Sequence, residues 1–150
     1  MFEIKAVNNT DGLLLFLLEQ ENYPQHYYKY RNLIQIINNP NYLVYKLVIN
    51  NNLVGSFILM HSGDDLEIIK LTVKKTHHQQ GWGTKMLTYI LAHFPFHSIF
   101  LEVNEHNLAA QKLYLKHGFD IVRTIPQYYG NENGYLMHYD FNFVENSWYL

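Results

Sequence analysis

The sequence predicts a single α/β domain, a three-layer α/β sandwich around a mixed, mostly antiparallel sheet. Three observations lead there. Period-two apolar runs rich in Val, Ile, Tyr and Phe recur along the 150 residues, interleaved with helix-period ones. Clusters of Asn, Gly and Asp join several of the strand-like runs directly, as hairpins require. One strand–helix–strand passage, residues 66–103, has no hairpin link, so its strands must pair in parallel through a right-handed crossover.

In chain order, residues 2–7 alternate apolar and polar side chains and read as a half-buried first strand. Thr10 or Asp11 is placed to cap a helix through the leucine-rich stretch 13–18. Pro24 suits the first turn of a second helix, with Tyr27, Tyr30, Leu33, Ile34 and Ile37 on one side and its end near Asn38-Asn39-Pro40. Residues 42–49 and 53–60 are β-rich runs joined by Asn50-Asn51-Asn52. A turn at 62–65 leads to a third antiparallel strand, 66–73. A helix follows over 82–93 with Met86, Leu87, Ile90 and Leu91 as its apolar stripe, and Pro95 stops it. Residues 98–103 read as a buried strand. Asn107 caps a helix that ends at Lys116-His117-Gly118, basic residues and glycine standing where a C-terminus favours them. Residues 119–129 and 135–143 form a last hairpin around Gly130–Gly134.

The chain shows no repeat and no Gly/Pro/Ser-rich linker, so residues 1–150 are expected to form one domain, as chains of about 100–200 residues usually do. Zero Cys excludes disulfides, thiol nucleophiles and thiolate metal sites. A net charge of -2 argues against a sequence-independent nucleic-acid binder, which needs a basic face. No apolar run approaches the roughly 20 residues that span a bilayer, so no membrane partner is expected. The start, Met1-Phe2-Glu3-Ile4-Lys5, lacks the layout of a signal peptide, which points to the cytoplasm. Among the 9 His, His77 and His78 are adjacent and His93, His97, His106, His117 and His138 are scattered. None makes an i,i+4 pair with a partnering acid, so no metal is expected.

The segment His78-Gln79-Gln80-Gly81-Trp82-Gly83-Thr84-Lys85 joins a strand to a helix N-terminus. Two glycines there let backbone approach a ligand, and the free N–H groups of a first turn favour an anion such as a pyrophosphate. Two ordinary turn glycines would look the same. A Walker loop fails on spacing, because Lys85 follows Thr84. A Rossmann fingerprint lacks its third glycine, Met86 standing there, and Glu102 falls inside the next strand, not at its end.

Leu71-Thr72-Val73 followed by His78-Gln79-Gln80-Gly81-Trp82-Gly83 resembles the [RQ]-x-x-G-x-[GA] pyrophosphate loop of the GNAT superfamily of acetyl-CoA-dependent acetyltransferases, with His78 in place of the usual Arg or Gln. Asn107, Ala110, Tyr114 and Gly118-Phe119 resemble its N-x-x-A-x-x-x-Y-x-x-x-G-F signature. The likeness is good over residues 53–139 and weaker over 1–52. It implies a GNAT fold and acetyl-CoA as acetyl-donor co-substrate, with no metal. The backbone of Leu71, Thr72 and Val73 would take the pantetheine and acetyl group. His78, Gln79, Gln80, Gly81, Trp82, Gly83 and Thr84 would form the loop for the pyrophosphate, and Asn107 would touch coenzyme A, a role compatible with capping its helix.

In this family an amine attacks the thioester directly, which asks for a base and for an acid toward the departing thiolate. The resemblance gives Tyr114 the acid role; a Tyr at helical spacing is also an ordinary core aromatic. Glu102 points away from Leu101 and Val103: facing the cleft between the parallel strands it is the preferred base, directly or through water, and facing solvent it is only a surface carboxylate. Glu67, six residues before Val73, is the competitor and falls where histone-type members carry theirs.

Among subfamilies the sequence is most similar to RimI-type enzymes, which acetylate protein N-termini. The residues that carry this are Leu101-Glu102-Val103, the run 107–114, and Ile125-Pro126-Gln127-Tyr128-Tyr129. By that likeness Tyr128 and Tyr129 begin a hairpin that helps grip a peptide, and Tyr23 opens the substrate-side loop. The acidity of amines points the same way. An α-amine with pKa near 8 is about one-tenth neutral at pH 7, whereas a Lys amine near 10.4 is below about 0.1%. The tyrosines around Tyr23–Tyr30 and Tyr128–Tyr135 suit either an amphipathic groove or an aromatic core. The alternatives are a small-amine acceptor (polyamine, amino acid or antibiotic) and a silent acetyl-CoA-binding module. Monomer and homodimer both remain open, as does the role of the tail Trp148-Tyr149-Leu150.

Overall fold

A computed structural model describes residues 1–141 of the chain; the tail and the last residues of the expected final strand lie outside them. The elements run β1 (Phe2–Ala6), α1 (Gly12–Asn22), α2 (Tyr30–Ile37), β2 (Tyr42–Ile49), β3 (Asn52–Ser62), β4 (Asp65–Val73), α3 (Trp82–His93), β5 (Ser98–Asn104), α4 (Leu108–Lys116), β6 (Asp120–Tyr129) and β7 (Glu132–Asp140). Short 3-10 turns precede α1 and follow β4. The seven strands form a mixed sheet in the order β1-β2-β3-β4-β5-β7-β6. This is the expected α/β order, element for element. Two compact units divide the chain: Met1–Met60 with Lys70–Phe94, and His61–Ile69 with the chain from Pro95 on.

In the first unit β1, β2 and β3 pair antiparallel. The β2–β3 turn is Asn50-Asn51, both at positive φ (49° and 68°), which matches the right-handed twist of the strands it joins. Asn tolerates that region better than most residues, which is why three asparagines stand there. Tyr45 of β2 stacks on Phe57 of β3 at 5.3 Å, and both rings meet Tyr89 of α3, at 6.0 and 6.2 Å. The neighbouring Lys46 points the other way, its ammonium 2.7 Å from Asp11 at the entry to α1. Helices therefore cover both faces of this part of the sheet. Of the expected α3 stripe Met86, Leu87 and Ile90 are fully buried, and Leu91 is half-buried.

Two expectations in this unit need correction. Neither Thr10 nor Asp11 caps α1 through its side chain. Asn8 caps the preceding 3-10 turn instead, accepting from the Thr10 N–H at 2.9 Å, while Asp11 accepts from the Asn8 N–H at 3.0 Å. This capping box leaves α1 to begin directly on the turn. The second helix starts at Tyr30, not at Pro24. Pro24 lies in a turn closed by the His26 N–H on the Tyr23 carbonyl, and the Tyr28 N–H goes to the Glu19 carboxylate. With those donors engaged elsewhere, the backbone stays extended through Lys29 (φ −68°, ψ 152°) before it turns helical.

In the second unit β4 and β5 pair in parallel, Leu66 with Ile99, Glu67 with Phe100 and Ile68 with Leu101. β7 pairs antiparallel with both β5 and β6. Leu66, Ile68, Ile99, Leu101, Val103 and Met137 share one face and are buried there. The side chain of Asn107 caps α4, accepting from the Ala110 N–H at 3.1 Å. The far end closes with Phe119 N–H on the Tyr114 carbonyl (3.1 Å) and Gly118 N–H on the Leu115 carbonyl (3.2 Å), a Schellman arrangement that needs a left-handed residue. Gly118 supplies it at φ 94°. The last hairpin turns more tightly than expected: Gly130-Asn131 make the turn, and Glu132, Asn133 and Gly134 already belong to β7.

Gly118→Ala should destabilise the chain by about 1–2 kcal/mol from its left-handed backbone alone. Its added methyl would also lie 3.2 Å from the Tyr139 ring. Gly63→Ala, at φ 64° with open space around it, carries only the backbone cost. Thermal melts should therefore rank Gly118→Ala below Gly63→Ala, at about 2–4 °C per kcal/mol.

Candidate active site

The first unit contributes the glycine loop. After Val73 the Lys74 N–H bonds the Val54 carbonyl at 2.7 Å, and a 3-10 turn, Lys75–His77, leads away from β4. The backbone then passes through positive φ twice, at Gln79 (60°) and Gly81 (85°), and α3 begins at Trp82. No side chain caps this helix. The first-turn N–H groups of Trp82, Gly83 and Thr84 have no carbonyl within the helix to bond, and the positive end of the helix dipole lies with them. A Cβ placed on Gly81 would meet nothing within 4 Å, so the glycine serves the backbone bend and leaves its outer side clear. Backbone donors, a positive dipole and open space suit an anionic diphosphate. Trp82 rests edge-on against Phe2 at 5.4 Å, and its indole N–H donates to the Gln80 amide oxygen at 3.3 Å. Lys85 holds its ammonium 5.4 Å from the Phe2 ring, one turn into the helix. His78, where the family pattern has Arg or Gln, turns back on its own strand and bonds the Val73 carbonyl through Nε2 at 2.7 Å.

The expected acyl-binding stretch Leu71, Thr72 and Val73 ends β4. Thr72 is buried, and its hydroxyl lies 3.3 Å from that of Tyr23. Beneath it the backbone of β3 comes close: a Cβ on Gly55 would stand 2.9 Å from the Thr72 carbonyl oxygen.

The second unit holds both candidate bases and the candidate acid. Residues paired across strands share a face, so Glu67, opposite Phe100, lies on the same face as Glu102 one repeat further along β5. Glu102 pairs with Leu136. Both carboxylates are half-buried among apolar neighbours, on the side away from Leu101 and Val103. Burial pushes the Glu67 carboxyl above its ordinary value, and the negative charge of Glu102 pushes it further. His138, opposite Phe100, Asp120, opposite His138, Arg123, opposite Leu136, and Asp65, two residues before Glu67, also belong to this face. The two residues that the sequence offered as rivals are thus neighbours, and the charge of Glu102 adds to what burial does to the proton affinity of Glu67.

Tyr114 comes from the opposite side. It is 6% exposed and packs edge-on against Phe119 at 5.4 Å; Phe119 meets Tyr139 at 5.3 Å. Tyr139 pairs with Ile99, so α4 covers the face that carries Ile99 and Leu101, not the carboxylate face. Tyr114 is therefore a core aromatic on the side away from the carboxylates. Tyr128 is 47% exposed on the bulged part of β6, and Tyr129 pairs through its backbone with Glu132.

Two arrangements were not legible in the sequence. Lys70 of β4 carries its ammonium onto the Glu19 carboxylate of α1, with the Tyr23 and Tyr28 rings each 4.2 Å away. Burial draws its pKa down to about 8, against the pull of the carboxylate it touches. A lysine among Ile68, Ile69 and Leu71 was the available signal, but its partner lies 51 residues distant. The second is a polar seam. The Gln111 amide donates to the carbonyls of Asn104 and Glu105, the Asn133 N–H to the Glu105 carboxylate, and the Gln127 N–H to the Asn133 side chain at 3.0 Å. It ties the tip of the last hairpin to the loop that enters α4. Among the described residues no group of three or more His, Asp or Glu is placed to hold a metal.

The acetyltransferase (GNAT) family matches residues 11–119, which span the glycine loop, both carboxylates and Tyr114. The chain belongs to this family. It is an acetyl-CoA-dependent N-acetyltransferase. No curated protein matches it significantly in sequence. Solved GNAT structures share its fold at low identity. The ribosomal-protein-S18-alanine N-acetyltransferase of Escherichia coli superposes with a TM-score of 0.85 at 21% identity, covering 93% of this chain and 94% of its own. Arabidopsis thaliana NAA60, solved with a bisubstrate analogue, gives 0.83 at 18% over 95% and 100%. A chimera of the Vibrio cholerae spermidine N-acetyltransferase SpeG gives 0.83 at 18% over 97% and 98%.

The raised Glu67 pKa has a stability signature. A carboxyl that holds its proton more tightly in the fold favours folding below its unfolded value and loses that contribution as pH rises through the folded value. Glu67→Gln should therefore raise the melting temperature relative to the parent at pH 7, with the gain shrinking toward pH 4. Glu102→Gln, which removes the like charge, should recover part of the same gain. Melts at the two pH values check both.

Proposed function

We propose that this GNAT enzyme acetylates the N-terminal α-amine of a protein. The open, uncapped turn at Gly81 is the observation that carries the donor half of this reading. The N–H groups of the first turn of α3, with Gln79 and Gln80 before it, hold the pyrophosphate, and the backbone of Leu71, Thr72 and Val73 aligns the acyl arm. Asn107, which already caps α4, adds a contact to coenzyme A. When bound, the donor supplies an activated acetyl thioester.

The protein's own task is to move protons. The carboxylate pair takes the proton that an incoming ammonium must lose, with Glu102 as base and Glu67 as the group whose proton affinity its charge raises. The Tyr114 hydroxyl donates to the departing thiolate. Carboxylates on one face and phenol on the other suit an acceptor and a thiol that occupy opposite sides of the β5 layer. The family likeness assigns Tyr23, Tyr128 and Tyr129 to binding the acceptor. An α-amine near neutrality needs only modest help from such a base. The Escherichia coli neighbour, by name an alanine N-acetyltransferase for a ribosomal protein, supports the protein acceptor.

A polyamine acceptor is the second reading. Two carboxylates on one half-buried face would also attract a small polycation, and a spermidine N-acetyltransferase is among the neighbours. Turnover on peptides with free N-termini, on the same peptides blocked, and on spermidine separates the two. The first reading expects turnover on free peptides alone; turnover on spermidine alone overturns it. Tyr114→Phe should lower kcat by about 10²–10⁴-fold while acetyl-CoA binding stays within twofold. Gly81→Val, which strains the turn and fills its clear side, should weaken acetyl-CoA binding at least tenfold, about 1.4 kcal/mol, by calorimetry.

A further inference from the structure

We propose that Lys70 is a positioning residue for the acceptor, locking the 23–29 connection between α1 and α2 as a wall beside the acyl-binding end of β4. This rests on the acetyl-transfer reading above. The connection has no helix or strand of its own and needs side chains to fix it. Lys70 and Glu19 provide the anchor. The ammonium lies between two tyrosine rings, each 4.2 Å from its centre, and both rings belong to the connection. A cation over an aromatic face is held most strongly when it is desolvated, and here only 17% of the lysine side chain is exposed. Glu19, 5% exposed, binds the same ammonium and also accepts the Tyr28 backbone N–H at 3.3 Å. One charge pair thus grips the segment at Tyr23 and at Tyr28.

The grip is made where acceptor selection would be felt. Lys70 directly precedes Leu71, Thr72 and Val73, and Tyr23 reaches Thr72 itself, hydroxyl to hydroxyl at 3.3 Å. Whatever fixes Tyr23 therefore fixes a wall one residue from the strand assigned to the acyl arm. Tyr27, on the outer side of the same segment, is 36% exposed and packs edge-on with Phe16 of α1. The ammonium is engaged by Glu19 and by the Tyr23 and Tyr28 rings. Its effect belongs to the acceptor's binding, not to the chemical step.

Hydrogen exchange on the full chain, without substrates, tests the lock directly. Lys70→Met keeps the stem and removes the charge; residues 23–29 should exchange at least tenfold faster while α3 is unchanged. Because that variant strands Glu19, the double variant Glu19→Gln/Lys70→Met is run beside it and should loosen the same segment, whereas Lys70→Arg should leave it protected. In kinetics the double variant should raise KM for the acceptor five- to tenfold, with kcat and the KM for acetyl-CoA within twofold. Unchanged exchange at 23–29 in the double variant overturns the proposal, and so does an equal rise in KM for both substrates. The exchange result needs no turnover, so it decides the lock even if none of the amines offered is acetylated.

Discussion

The constraint on which the candidate site depends is the parallel register of β4 and β5. Side chains alternate along a strand, and partners in register share a face. Once Glu67 is set opposite Phe100, Glu102 has only one side to occupy, and it is the side of Glu67. A shift of one residue would turn Glu67 to the side of Ile99 and Leu101, where an unpaired carboxylate would be costly. The hydrophobic pattern therefore enforces the register, and the register makes two acids neighbours. Their mutual repulsion follows from packing; no special device produces it.

The same alternation divides the chemistry between sides. Glu67 and Glu102 occupy one face of the second unit, and α4 brings Tyr114 to the other. Packing does not exclude the acid role proposed for Tyr114. Its ring lies against Phe119 because the Schellman closure at Gly118 turns the chain back, and that packing gives the phenol a fixed origin. In the first unit the division is similar: the aromatic stack of Tyr45, Phe57 and Tyr89 occupies one face, and the lysines 46 and 70 meet acids on the other.

Most of the fold was legible because it is written locally. The Asn50-Asn51 turn, the cap at Asn107, the stop at Gly118 and the Met86–Ile90 stripe are read from residues within a few positions of one another. The glycine loop and the tyrosine helix were legible for the same reason. The departures arose where a distant side chain decided the backbone. Pro24 promised a helix start, but the Glu19 carboxylate had taken the Tyr28 N–H. His78 stands in the place of an anion contact, yet its ring bonds the Val73 carbonyl. The Lys70 anchor and the seam from Gln111 to Asn133 join residues that no periodicity connects.

The contact of Trp82 with Phe2 has a practical consequence. The chain has 2 tryptophans, and one of them opens α3, the helix whose first turn is proposed to hold the diphosphate. Its indole, half-buried and edge-on to a phenylalanine, is a built-in fluorophore at the turn proposed for the donor. With Trp148 replaced by Phe, and with excitation beyond the absorption of the 13 tyrosines, the remaining emission would come from Trp82. Nucleotide arrival would then become an optical event, visible without label, radioisotope or coupled assay.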